Sequence, residues 1–148
     1  MSSSVVTLTM PARTEYLILA RLALGGIARA VPIGEPTLAD LKLAVTEACG
    51  NVARHAYPTA PGGVRVRFEV TESSIEIEVE DDGTGSSESL WEGRQDGPLP
   101  LEEGMGLAII RAVVDELEVG PRDEGAGTVV RMRKRLQLAD DTGGGERP

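Results

Sequence analysis

Hydrophobic and polar positions alternate most strictly between residues 64 and 80. Val64, Val66, Phe68 and Val70 interleave with Arg65, Arg67 and Glu69, and Ile75, Ile77 and Val79 interleave with Glu76, Glu78 and Glu80. A period of two means strands with one buried and one wet face, as in an antiparallel sheet covered on one side. The gap Thr71–Ser74 is hairpin-sized, and the arginines of one strand would face the glutamates of the other as favourable cross-strand pairs. Val5–Met10 alternates in the same way, with Val6, Leu8 and Met10 on one side, and Pro11 ends it. Leu117–Val119 and Gly127–Met132 read as two further strands around a glycine-rich turn.

Between these runs the period changes to steps of three and four. Tyr16–Ala30 is helical, with Leu17, Ala20, Leu24 and Ile27 as its apolar stripe and Thr14-Glu15 as its start. Gly25-Gly26 weakens that helix by roughly 1 kcal/mol per glycine relative to alanine and allows a kink or a close approach there. Val31–Pro36 reads as a loop. Thr37-Leu38-Ala39-Asp40 fits a capping box, which starts a helix that runs to His55 or Ala56 and carries Leu38, Leu41, Val45, Ala48 and Val52 inward. Pro58, Pro61, Gly62 and Gly63 stop it. Ser86–Glu103 has no clean period and reads as a long functional or disordered loop, closed by Gly104-Met105-Gly106, with a short apolar helix over Leu107–Asp115. The order β-α-α-β-β-α-β-β with helices on one face predicts an α+β fold of two layers.

With 148 residues, 41% of them hydrophobic and 26% charged, the chain suits one domain with one core, over 1–138, followed by a polar, Gly-rich tail over 139–148 expected to be disordered, as are Met1–Ser4. A net charge of −9 argues against direct nucleic-acid binding. The one dense basic run, Arg131–Arg135, reads as a solvated strand face. A single cysteine excludes an intrachain disulfide. With neither a signal peptide nor a long apolar span, the chain is expected to be cytoplasmic and free of the membrane.

Three places could carry chemistry. Glu47, Asn51 and His55 recur at steps of four and so form one polar seam beside the apolar stripe of their helix. Asn offers a neutral oxygen suited to Mg2+, and a carboxylate one turn away could take a proton, although alone both read as solvated helix positions. His55 is expected to fix the helix end. Asp81-x-Gly83-x-Gly85 at a strand end could accept from an exocyclic amine and let a flat ring approach; alone it reads first as a tight acidic turn. Gly104-Met105-Gly106-Leu107 before a helix could hold phosphate oxygens, or be a hinge. Cys49 reads as a small buried residue. Trp91, in the long loop, has no assigned role.

In this order, these motifs resemble the GHKL ATPase family, which has the Bergerat ATP-binding fold. Val45-Thr46-Glu47-Ala48, Asn51, His55-Ala56-Tyr57 and Gly104-Met105-Gly106-Leu107-Ala108-Ile109-Ile110 are especially similar to its bacterial anti-sigma-factor serine kinases, over roughly Val5 to Leu136. The resemblance implies a two-layer sandwich with a mostly antiparallel mixed sheet. It implies ATP and Mg2+ as cofactors, Glu47 as general base and Asn51 as Mg2+ ligand. Asp81 would bind adenine in a pocket shaped by Gly83 and Gly85, with Thr128 nearby. Ser86–Glu103 would be the ATP lid, and Gly104, Met105, Gly106 and Leu107 would lie at the phosphates. It further implies a homodimer that holds a sigma factor, contacts a partner through Arg21, and phosphorylates a serine on a STAS-domain anti-anti-sigma protein. One departure stands out: no basic lid residue is close to Gly104 unless Arg94 supplies it. Two other readings stay open. One is a partner-switch module of the same fold that binds nucleotide without phosphotransfer. The other is a detached domain acting on histidine, although the chain has no dimerisation domain with a phospho-accepting histidine.

Overall fold

The structure, a computed structural model, describes residues 3–57, 61–83 and 101–136, with the side chains of 101–105 left aside. Five strands, β1 (Ser4–Pro11), β2 (Gly63–Val70), β3 (Ser74–Asp81), β4 (Glu116–Pro121) and β5 (Thr128–Arg135), form one sheet in the order β1-β2-β3-β5-β4. All four pairings are antiparallel. Helices α1 (Ile18–Ala30), α2 (Glu35–His55) and α3 (Leu101–Val113) make the second layer, and α2 packs against both of the others and against β3. The expected two-layer α+β architecture and its element order are therefore present.

The period-two runs bury the side they predict. Val64, Val66, Phe68, Ile75, Ile77 and Val79 are inaccessible or nearly so, and they meet Leu24, Leu41, Val45 and Ala48 from the helices in one core. On the open face Arg65 reaches Glu80 across the hairpin at 3.5 Å, as expected. Arg67 lies opposite Glu78 in register, yet it pairs with Glu69 of its own strand at 3.1 Å, because Arg131 of β5 takes Glu78 at 2.7 Å. The basic run of β5 is thus a salt-bridged strand face. In β1, an edge strand, burial fades along the expected apolar side. Met10 is buried, Leu8 half-buried and Val6 exposed, and Ser4 already belongs to the strand.

Two helix starts differ from the sequence expectation. No capping box forms at Thr37. α2 begins three residues earlier, with Gly34 rather than Thr37 as N-cap, and Thr37 is buried inside it while Asp40 lies 3.6 Å from Lys134. Pro36 in the first turn explains this, since its missing N–H is one the helix end leaves unpaired anyway. Likewise α3 starts at Leu101, so Gly104-Met105-Gly106 lies within the helix rather than before it, and residues 101–103 are helix rather than loop. Leu101-Glu102-Glu103 are good helix formers, and acids favour the positive end of the dipole. At the other long helix, Thr14–Tyr16 forms a 3-10 turn ahead of α1.

Gly25 and Gly26 sit inside α1, and a Cβ at either would meet nothing within 4 Å. Packing does not require them. Gly25→Ala and Gly26→Ala should each stabilise the chain by about 0.5–1 kcal/mol, seen as a higher melting temperature. An unchanged or lower melting temperature would count against this account of α1.

Candidate functional site

α2 presents its polar seam where α3 crosses it. Glu47 and His55 are half-buried, and Asn51 between them is only 1% exposed. Gly106 is what lets α3 come so near. A Cβ there would stand 3.0 Å from Glu47 Oε1, 3.7 Å from Asn51 Oδ1 and 3.8 Å from Asn51 Nδ2. This closeness explains why a glycine is tolerated inside the helix. Asn51 Oδ1 accepts a bond of 2.9 Å from Arg54 Nη2, whereas Nδ2 is buried and has no partner among the described residues. An unpaired buried amide donor costs about 1–3 kcal/mol, so a water or a ligand atom is needed to satisfy it.

The second half of the site is built by the parity of β3. Asp81 follows Ile75, Ile77 and Val79 on the inward face and is 4% exposed. Its Oδ1 accepts from the Gly83 N–H at 2.9 Å, and Thr128, also buried, lies opposite it in register on β5. Burial raises the Asp81 pKa above its ordinary value; the backbone N–H of Gly83 and that of Thr128 pull in the other direction. Two glycines close this turn. A Cβ at Gly83 would overlap the carbonyl oxygen of Ala56, the residue that ends α2. A Cβ at Gly127, where φ is +125°, would overlap the Asp81 carbonyl oxygen. Tyr57 ties the corner together. Its hydroxyl donates to the Gly63 carbonyl at 2.6 Å, lies 2.8 Å from Asp82 Oδ1, and accepts from the Asp82 N–H at 3.2 Å. Burial, then the bond to Asp82, push its pKa up to about 12.

Of the residues expected from sequence, the structure brings Glu47, Asn51 and Gly106 together at one end, and Asp81, Gly83 and Thr128 at the other. Ala56 links the two ends. Leu107 is buried in the core. Gly104 and Met105 lie in the first turns of α3, where the unpaired N–H groups are those of residues 101–104. Gly85, Trp91, Arg94, most of the proposed lid and the tail over 139–148 lie outside the described residues. Arg21 is on the exposed face of α1, which adds nothing to this cluster. Sequence reasoning gave no role to Tyr57, Arg54 or Gly127. The i, i+3 step from Asn51 to Arg54 was the one available signal; the other two contacts join distant segments.

Cys49 is fully buried on α2, and burial pushes its thiol up to about 12. A thiol so rarely ionised should not react with a maleimide or disulfide reagent at pH 8 until the chain is unfolded. Labelling of the native protein at the rate of a free thiol would contradict this burial.

A hollow of about 580 Å3 on the open sheet face is lined by Glu78, Glu80, Glu118, Arg122 and Arg131 among others. Arg131 pairs with Glu78 and Glu118, and Arg122 with Glu80, so that face is occupied by its own ion pairs. The residues singled out from the sequence lie on the helix side. There, an acid–amide pair on a helix stands one backbone contact away from a strand-end aspartate. Among the described residues no three ligating side chains cluster around a metal position. A Mg2+ ion held by one amide oxygen, water and phosphate needs no such cluster.

A two-layer α+β domain with such a site is of the ATP-binding class. The chain belongs to the histidine kinase-like ATPase domain family, whose model matches residues 10–134. It is 30% identical over 140 residues to a serine-protein kinase RsbW of Bacillus mycoides (strain KBAB4), covering 89% of this chain and 85% of that one. It is 31% identical over the same length to serine-protein kinase RsbW of Bacillus cereus (strain G9842). The solved structure of the RsbU and RsbW domains of Rv1364c from Mycobacterium tuberculosis matches with a TM-score of 0.66 at 20% identity. That match covers 90% of this chain but 32% of the solved one, and it supports the fold alone. Among the described residues no helix is long and apolar enough to cross a membrane.

Proposed function

We propose that this chain is an ATP-dependent protein serine kinase and anti-sigma factor. In this reading it holds a sigma factor as a homodimer and phosphorylates a serine on a STAS-domain anti-anti-sigma protein. The observation that carries the reading is the meeting of Glu47, Asn51 and Gly106, with a buried, unpartnered Asn51 Nδ2. A half-buried carboxylate one turn from the amide is what a pure binder lacks a use for. The names of the Bacillus relatives support the same activity.

The residues fit Mg2+–ATP. Asp81 would accept from the adenine amino group, Gly83 lets the end of α2 close against the Asp81 turn, and Asn51 would offer Oδ1 to the cation. Gly106 keeps a side chain out of the phosphate region. Bound Mg2+–ATP supplies an electrophilic γ-phosphorus and a stabilised ADP leaving group. Glu47 takes the proton of the acceptor serine hydroxyl as its oxygen bonds to phosphorus and the bond to the ADP oxygen breaks. The lid and Arg21 belong to this reading as the cover of the nucleotide and a partner contact.

The test is a pull-down from the native cell with and without ATP, followed by mass spectrometry. Recovery of a sigma factor, and of a STAS protein that gains phosphoserine only with ATP and Mg2+, is the expected result. Recovery of these partners with no phosphoserine under any nucleotide condition would reduce the chain to a switch module without phosphotransfer.

A further inference from the structure

Arg54 is the penultimate residue of α2, and although the residue is exposed, its guanidinium is engaged on the helix itself. It folds back along the helix and donates from Nη2 to Asn51 Oδ1 at 2.9 Å. Gly50 makes the seat for it. The three atoms nearest to a Cβ placed at Gly50 all belong to Arg54, the closest being Nη1 at 3.0 Å. A buried glycine in mid-helix has a propensity cost, and the flat cation lying over it gives that cost a structural counterpart. The oxygen it engages is also the one a cation at this site would need, since the amide nitrogen of Asn51 is a donor only.

We infer that Arg54 is a placeholder for the metal. Its guanidinium occupies Asn51 Oδ1 when no Mg2+ is bound, keeps the buried amide turned with that oxygen toward the cation position, and must leave before the metal can coordinate. Two positive groups on one amide oxygen repel each other at close range, so the arginine competes with Mg2+ and raises the concentration at which the metal enters. This rests on the ATP reading above and adds to it a residue that determines metal dependence.

Calorimetric titration of the full chain with the non-hydrolysable analogue AMP-PNP, at a series of Mg2+ concentrations and with none, tests it. Arg54→Met removes the donor and the charge while keeping a long side chain. It should lower the half-saturating Mg2+ about tenfold, the range of a charge-assisted hydrogen bond. The metal-free nucleotide affinity should stay within about twofold. Gly50→Ala crowds the guanidinium from its seat and leaves the charge in place. It should shift the Mg2+ requirement the same way by a smaller factor. If Arg54→Met acts while Gly50→Ala does nothing, the effect is charge alone and the placeholder is wrong. If metal-free affinity falls about tenfold with the Mg2+ requirement unchanged, Arg54 is a phosphate-binding group instead. A wild-type chain that binds no nucleotide at any Mg2+ concentration overturns the ATP reading itself, and this inference with it.

Discussion

Glu47→Gln should bind Mg2+–ATP nearly as well as the wild type while phosphoryl transfer to a STAS protein falls about 10²–10⁴-fold, the usual contribution of a positioned general base. The substitution is nearly isosteric, which matters here. Glu47 Oε1 is the atom nearest to the vacant Cβ position of Gly106, so a smaller residue would leave a gap between α2 and α3 as well as removing a base. Glutamine keeps that packing and loses only the ability to take a proton. Asn51 and Asp81 are untouched, so calorimetry should report a similar affinity. Single-turnover transfer, read as phosphoserine, carries the difference. A wild-type transfer rate in this variant would remove Glu47 from the chemistry and leave it as a packing residue.

Asp81→Asn should do two opposite things. Adenine nucleotide affinity should fall by about 10–100-fold, since an amide accepts the exocyclic amine's hydrogen bond without the charge that strengthens it. The fold, however, should become more stable at neutral pH. Burial raises the Asp81 pKa in the folded chain. The folded state then binds protons more readily than the unfolded one, so this group's stabilising contribution is complete below its ordinary pKa of 3.8 and is lost as pH rises through the raised folded value. At pH 7 the ionised carboxylate is a net cost, which asparagine removes while still accepting from Gly83. A higher melting temperature together with weaker binding is the expected pair of results. A lower melting temperature would show that the backbone bonds outweigh desolvation. For the same reason, wild-type nucleotide affinity should start to fall on acidification at a higher pH than an ordinary aspartate would give, and the variant should lack that dependence.

The parts legible in the sequence were those fixed by local pattern. The β2–β3 hairpin follows period two over Val64–Val70 and Ile75–Asp81, with Ser74 buried beside Ile75 as the exception, so its inward set and the position of Asp81 at its end could be read directly. The α2 stripe and seam follow from spacing alone. What failed was punctuation. Pro36 looks like a loop residue but is accepted in a first helical turn, and Gly104 and Gly106 look like breakers but sit in α3, where a Cβ at 106 would come within 3.0 Å of Glu47 Oε1. Local propensity lost to a tertiary contact there. The order β1-β2-β3-β5-β4 and the contacts of Tyr57, Gly83 and Gly127 join segments far apart in sequence, and no local pattern carries them. Arg54 was visible as a residue, yet its fold back onto Asn51 depends on Gly50 having no side chain.

The carbonyl of Ala56 against Gly83 has a consequence for what the site can select. Asn51 and Ala56 belong to one helical rod, and Gly83 is two residues from Asp81, so the span between amide and carboxylate is set by main chain throughout. Side-chain rotamers can adjust each end, but neither end can slide. On the proposed reading the domain acts as a ruler, and it should discriminate ligands by the length from base to phosphate as much as by the identity of the base. Inserting one residue between Asn51 and Ala56 would turn the seam by about 100° and change the reading of that ruler without altering any residue that touches the ligand.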